Sequence, residues 1–279
     1  TSISQIDRLA MSERRDLFLG LLGTRSIIMG ILNVTPDSFS DGGKFLHLDA
    51  AMQQAKKLAA EGADIIDVGA ESTRPGHTPV EPEEELARLE PILGTLTSSI
   101  DIPFSIDTSK AKVARRATEI GASVVNDVWG LQKDPAMADT VAETGAAAVL
   151  MHNRDGVDPG LDIVADMRRF FDRSLRLARD AGIPRARLIL DPGIGFGKSR
   201  PQNFTALANL ATLQDYGLPI LVGVSRKSLL AGLSPVETSL VRTLAANLAA
   251  AANGASIFRV HDAAEHAAAF KVFDAIVRR

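Results

Sequence analysis

Residues 27–33 read Ile-Ile-Met-Gly-Ile-Leu-Asn, a short apolar run closed by a polar side chain suited to ligand contact. The arrangement recurs seven times. The runs Ile65–Val68, Pro103–Ile106, Ser123–Val125, Ala147–Leu150, Leu188–Leu190, Leu218–Val222 and Ser256–Phe258 lead in turn to Glu71–Gly76, Asp107, Asn126, Met151–His152, Asp191, Ser225–Lys227, and Arg259 with His261. Runs of this length read as buried strands, and the segments between them carry helical spacing. Eight strand–helix repeats predict an α/β protein, a single (β/α)8 TIM barrel. In that architecture the C-terminal strand ends converge on one face, so the polar endings collect in one pocket.

The chain has 279 residues, which fits one barrel of typically ~250 residues better than two small domains. We divide it into an N-terminal extension, 1–25, and the barrel, 26–279. Hydrophobic residues make up 46%, enough for a large core, and the net charge is −3 with no long basic run, which argues against a nucleic-acid partner. The absence of cysteine excludes disulfides, thiolate metal sites and a cysteine nucleophile. The apolar stretches are short and interrupted, so no membrane span is expected. The first sixteen residues carry charges and no apolar h-region, unlike a secretory signal. A soluble cytoplasmic enzyme is the expectation, and the sequons at Asn33 and Asn203 carry no meaning in that compartment.

Ser12–Leu22 predicts a short amphipathic helix that closes the bottom of the barrel. A helix is expected from Asp49, as N-cap, to Glu61, and others over 83–99, 110–120, 134–144, 162–181, 201–213 and 262–277. One more begins at a capping box, Ser234-Pro-Val-Glu237, and runs to about Ala252. Loops after the first, second and fifth strands are long, whereas most loops before strands are a Gly-Ala pair that reads as helix C-capping. One working face is implied.

Asp191-Pro-Gly-Ile-Gly-Phe-Gly-Lys198-Ser199 resembles a phosphate loop, but Pro192 stands where that motif needs Gly. The alternative is that the glycines let the backbone pass close to a flat ligand. A strand-end aspartate alone is most often a cap. Asp107 and Asp191 together, with Asn126, form an acceptor-rich set suited to a heterocycle with an amino group and ring N–H donors, as on a pterin or guanine edge. Lys227 and Arg259 follow strands 7 and 8, the usual phosphate corner of the fold. Ser225-Arg226-Lys227-Ser228 adds hydroxyls, and His261 stands close to Arg259. A solvated basic turn would explain the cations one at a time. The loop Asn33-Val-Thr-Pro-Asp-Ser-Phe39-Ser-Asp41-Gly-Gly reads as a lid, because an aromatic in a polar loop is unfavourable unless it covers something. Glu71-Ser-Thr-Arg74-Pro-Gly76 supplies a further cation. Asn, Asp and phosphate oxygens would suit Mg²⁺.

The segments MGILNVTPDSFSDGG (29–43), DVGAESTRPG (67–76), SIDTSK (105–110), VNDV (125–128), LDPGIGFGK (190–198), GVSRKS (223–228) and FRVHD (258–262) resemble those of the dihydropteroate synthase family, across about residues 26–279. That family joins 6-hydroxymethyl-7,8-dihydropterin diphosphate to 4-aminobenzoate and releases pyrophosphate. The resemblance implies that Asp107, Asn126, Asp191 and Lys227 bind the pterin edge. Val128, Met151 and Phe196 would line its ring, and Arg259 would lie against its face. Asn33, Arg74, Arg259 and His261 would hold the diphosphate, with Mg²⁺ on Asn33. Phe39, Thr73, Arg74, Pro75, Phe196, Lys227 and Ser228 would form the aminobenzoate pocket. Asp41, Arg74, Lys227 and Asp107 would carry the catalytic work. It also implies an ordered mechanism with pterin first, competition by sulfonamides, and a homodimer through the C-terminal helices.

The run Met151-His-Asn-Arg-Asp-Gly-Val-Asp158, at the edge of the site, departs from the Met-His-Met and Gly–Pro turn of many members. Two other readings stand beside the synthase: a pterin-barrel methyltransferase serving a corrinoid protein, and a non-catalytic pterin-binding paralogue. The lid and the basic segment 225–228 favour the synthase, since methyl transfer has no pyrophosphate to hold.

Overall fold

The computed structural model describes residues 10–34, 44–70, 80–233 and 238–277. Eight strands form one parallel sheet: β1 Ile27–Asn33, β2 Ile65–Gly69, β3 Phe104–Asp107, β4 Val124–Asp127, β5 Ala147–Met151, β6 Leu188–Asp191, β7 Leu221–Val222 and β8 Ile257–Val260. Neighbours in sequence are neighbours in space, and β1 pairs with β8. The ring closes between β6 and β7 through a single bridge, Leu190 to Ile220, and a Leu190 N–H donated to the Pro219 carbonyl at 2.9 Å. β7 is shorter than its apolar run because Pro219 has no N–H for the ladder. The expected barrel is present.

The helices are α1 Met11–Leu21, α2 Lys44–Ala60, α3 Pro82–Ser99, α4 Ala111–Ile120, α5 Met137–Thr144, α6 Ile163–Asp180, α7 Arg200–Ala208, α8 Ser239–Ala252 and α9 Ala263–Val277. Asp162 caps α6 by accepting from Val164 N and Ala165 N, and Ser199 with Gln202 forms a capping box at α7. Three expectations need correction. α2 begins upstream of Asp49, because Leu48 continues the core-facing stripe of Met52 and Ala55; Asp49 is a helix-interior residue, not a cap. α7 ends at Ala208, and a 3-10 segment, Leu210–Tyr216, takes over. α8 begins at Ser239, with Thr238 as the cap on Val241 N, and the Ser234–Glu237 box lies outside the described residues. The glycine before β5 caps its helix as expected: Gly145 is left-handed at φ +75° and returns its N–H to Val141.

Side chains alternate across each strand. One set faces the helices and builds the larger core, where Phe258 stacks on Phe270 with centroids 4.1 Å apart. The other set fills the lower barrel: Ile27, Met29, Ile65, Val124, Ala147, Val149, Ile189, Leu221 and Ile257. Phe18 of α1, fully buried, plugs this cluster from below. Arg14 ties the plug down by donating to the Ile100 and Ile102 carbonyls at 2.8 and 3.0 Å, and Arg15 reaches the Gly145 carbonyl. No described helix is long and apolar enough to cross a membrane.

Candidate active site

The inward alternation, continued upward, turns from apolar to polar. Above Ile65 comes Asp67, above Val124 Asn126, above Ile189 Asp191, and above Ile257 Arg259. These residues crown the lower core, and a cavity of about 970 Å³ opens above them at the C-terminal strand ends. Asn33, Asp107, Asn126, Val128, Met151, Asp191, Phe196, Lys227, Ser228, Arg259 and His261 all line it, so each described site residue expected from the sequence is there. Phe39, Asp41, Thr73, Arg74 and Pro75 lie outside the described residues.

One centre of the site was not anticipated. Asp67, fully buried, accepts from Ser105 Oγ at 2.6 Å, from Arg259 Nε at 2.6 Å and from Asn126 Nδ2 at 3.1 Å. Arg259 also donates to Asp107 at 3.0 Å, so its guanidinium bridges two carboxylates. The signal was available: Asp67 follows Ile65 by two, so it shares the inward face, yet it reads as part of an apolar run. Asp107 Oδ1 and Asn126 Oδ1 are buried acceptors without a partner among the described residues, which suits a ligand bearing N–H donors.

Burial dominates the site's protonation. It pushes Asp107 up to about 7, helped by the Asp67 charge and opposed by Arg259. It raises Asp191 to about 6 against the Gly193 N–H, which donates at 2.7 Å, and against the charge of Lys227. It pulls Lys227 down to about 8, opposed by Asp191. Lys227 donates to the Ile194 carbonyl and sits 4.7 Å from the centroid of Phe196.

At the β7–β8 corner, Ser225 Oγ accepts from the His261 backbone N–H at 3.1 Å and lies 2.8 Å from His261 Nδ1. Of the two cations in Ser225–Ser228, Lys227 turns inward, while Arg226, at φ +57°, pairs with Asp262 at 2.6 Å on the rim.

The glycines after β6 do not serve mainly to admit a ligand. A Cβ on Gly193 would lie 1.9 Å from the His152 carbonyl, and one on Gly197 would lie 2.4 Å from Arg154 Cβ. These two let the loop pack on the segment after β5; Gly195, against Lys227, is the one that borders the cavity. Lys198, in the phosphate-loop position, points at protein atoms: His152 Nδ1 at 2.7 Å and the Gly193 and Phe196 carbonyls at 2.8 and 3.1 Å. His152 itself lies behind the cavity wall, fully buried.

A parallel barrel with an acceptor wall on β3, β4 and β6, and a cationic, hydroxyl-bearing corner at the ends of β7 and β8, is a barrel site for a heterocycle with N–H donors and an anionic group. The family of pterin-binding enzymes matches residues 29–261. The dihydropteroate synthase of Clostridium beijerinckii is 47% identical over 262 residues, 92% of this chain and 97% of that protein. The crystal structure of the Clostridium difficile dihydropteroate synthase in the presence of pteroic acid superposes with a TM-score of 0.88 at 48% identity, covering 92% of this chain and 98% of that one. The Yersinia pestis dihydropteroate synthase with a sulfonamide drug gives a TM-score of 0.83 at 41% identity, covering 92% and 96%. The chain belongs to the dihydropteroate synthase family of transferases. Neither the methyltransferase nor the binding-only reading is favoured by these likenesses.

Proposed function

We propose that this barrel condenses 6-hydroxymethyl-7,8-dihydropterin diphosphate with 4-aminobenzoate, giving 7,8-dihydropteroate and pyrophosphate for folate biosynthesis in the cytoplasm. The observation that carries the reading is that one cavity gathers buried acceptors without partners among the described residues, Asp107 Oδ1 and Asn126 Oδ1, together with cations. Buried acceptors Asp107, Asn126 and Asp191 meet the cations Lys227 and Arg259, the latter bonded to Asp107 at 3.0 Å, and Ser225 and His261 continue the lining beyond Arg259. The acceptors match the pterin's amino and ring N–H groups, with Lys227 on its oxygen and N5 side. Val128, Met151 and Phe196 line the ring. Arg259 lies against the ring's face and, with Asn33, Arg74 and His261, holds the diphosphate. Phe39, Thr73, Arg74, Pro75, Phe196, Lys227 and Ser228 enclose the aminobenzoate, and Asp41 helps to organise the lid.

The chemistry then follows from charge. Departure of pyrophosphate leaves a methylene cation conjugated to the dihydropterin, which the carboxylates of Asp107 and Asp191 stabilise in a low-dielectric site. Arg259 and His261 neutralise the leaving group. The arylamine attacks the methylene with its own lone pair, forming the N–C bond. The anilinium so formed is acidic enough to give its extra proton to pyrophosphate or solvent, so no strong base is required. Water must be kept from the cation, which is the work of the loops after β1 and β2. Because the aminobenzoate pocket forms over bound pterin, pterin binds first.

Among the described residues no group of three or more His, Asp or Glu could hold a metal ion. Asn33 offers one amide oxygen at the cavity wall. Asn33 would be the residue to hold Mg²⁺ brought in with the diphosphate, an ion that prefers oxygen ligands. Bound there, Mg²⁺ would offset charge on the leaving pyrophosphate.

Val241, Val272, Ile276 and Val277 expose apolar surface on α8 and α9. This supports a homodimer through these helices, testable by sedimentation.

The test is pyrophosphate release from the pterin diphosphate with Mg²⁺, with and without 4-aminobenzoate, with identification of the pterin product. Dihydropteroate formation, blocked competitively by a sulfonamide, is expected. Tight pterin binding without turnover would overturn the reading.

A further inference from the structure

The lysine of the Gly-Phe-Gly-Lys198 segment has no part in the reaction above, yet it is buried. Its ammonium meets three acceptors, His152 Nδ1 and the Gly193 and Phe196 carbonyls. The two carbonyls belong to one turn, closed by the Phe196 N–H donated to the Gly193 carbonyl at 3.1 Å. His152 is fixed in its turn: Nε2 lies 3.0 Å from Asp166 Oδ2, which also accepts from Arg154 at 2.8 Å. A carboxylate facing Nε2 requires a proton there, so Nδ1 of the neutral ring accepts. Lys198 is then the donor to His152 Nδ1 as well as to the two carbonyls, contacts that hold its proton against burial, which lowers its pKa to about 7.

The turn that Lys198 clamps carries both groups that locate Lys227. Between the two clamped carbonyls, Ile194 offers the carbonyl that accepts from Lys227 Nζ, and Phe196 offers the ring over which that ammonium sits. A lysine stem has four rotatable bonds and no preferred direction of its own. Its placement in the cavity depends on what it meets there.

We propose that Lys198 is a positioning residue: anchored through His152 to Asp166, it holds the Gly193–Phe196 turn and thereby sets Lys227 for the pterin. The inference rests on the placement of Lys227 in the pterin site given above. Lys198 borders the cavity, but its ammonium is taken up by protein atoms; if it acts through Lys227, its effect must vanish when that side chain is absent.

The experiment is a double-mutant cycle read by calorimetric titration with unphosphorylated 6-hydroxymethylpterin. Four proteins are compared: the wild type, Lys198→Met, Lys227→Met and the double variant. Lys198→Met is expected to weaken binding about ten-fold, within the range for residues coupled through one network, and to add less than about two-fold in the Lys227→Met background. If Lys198→Met alone stays within about two-fold of the wild type, or if the two losses multiply, the inference is overturned. Should Lys198→Met fail to fold, Asp166→Asn releases the His152 ring from the partly exposed end of the chain of contacts. It is then expected to weaken binding about three-fold, again only when Lys227 is present. An unchanged affinity or a multiplying loss would overturn the inference by that route. A wild type that binds no pterin would overturn the site assignment as well, whereas multiplying losses overturn this inference alone.

Discussion

Asp67 decides which way Asn126 faces. The Asn126 Nδ2 donates to the buried Asp67 Oδ2 at 3.1 Å, and the reverse orientation would set two oxygens against each other. Asn126 Oδ1 is thereby left as an acceptor beside Asp107 Oδ1, and neither has a partner among the described residues. Breaking a buried charge pair is costly, ~3–5 kcal/mol, because the remaining charge stays uncompensated. Asp67→Asn should therefore lower the melting temperature and weaken pterin binding by about ten-fold or more, since both Asn126 and Arg259 lose their fixed orientation. Calorimetric titration with unchanged affinity would refute this.

Asp191 should stabilise the fold least where the site works best. Its pKa is pushed up from 3.8 to about 6 by burial. The folded protein therefore favours the protonated form, and that contribution is complete below about pH 4 and lost as pH rises through 6. Asp191→Asn is expected to raise stability at pH 8, on the order of 2 kcal/mol, and to leave it nearly unchanged at pH 4. Pterin affinity should run the other way. It rises as Asp191 and Asp107 ionise near 6 and 7, then falls as Lys227 loses its proton above about 8. A flat kcat/KM between pH 5 and 9 would sink this assignment.

Gly193→Ala should be among the most damaging small substitutions in the chain. The position has φ +65°, and the added methyl carbon would meet the His152 carbonyl at 1.9 Å. The left-handed conformation alone costs ~1–2 kcal/mol for a residue with a Cβ, before the overlap is relieved. Loss of more than about 2 kcal/mol in chemical denaturation is expected. An alanine at exposed Gly156, where nothing lies within 4 Å, serves as the control.

Asp107→Ala and Arg74→Ala should separate the two substrates. The first is expected to reduce pterin affinity by at least about ten-fold, because a buried hydrogen-bonding charge is removed. The second should leave affinity for the unphosphorylated pterin nearly intact and raise the KM for 4-aminobenzoate. Equal losses of pterin affinity in both variants would show the assignment to be mistaken.

The barrel was legible because strand period and strand ending reinforce each other. A run such as Leu188–Leu190 is buried on both faces, and the residue after it sits at the rim. Asp107, Asn126, Asp191, Lys227 and Arg259 could be read for that reason. Asp67 could not be read the same way, because it lies within its run; only strict alternation from Ile65 places it inside. Lys198 was given no role, since sequence spacing reveals a phosphate-loop likeness, set aside for Pro192, but not that His152, forty-six residues upstream, stands next to it. The start of α2 was missed because Asp49 has the chemistry of a cap, whereas the packing of Leu48 extends the helix past it. Segment boundaries yield to tertiary contacts in this way.

The Phe18 plug bears on how the chain is made. Phe18 is synthesised well before the strands that bury it: its site includes Leu221 and Ile257, and β1 must also wait for β8. During translation the nascent polypeptide therefore carries an open edge strand and an unburied aromatic until β8 has emerged. Such surfaces invite association between unfinished chains. Production of this protein should consequently depend on chaperone supply and on elongation rate, independently of how stable the finished ring is.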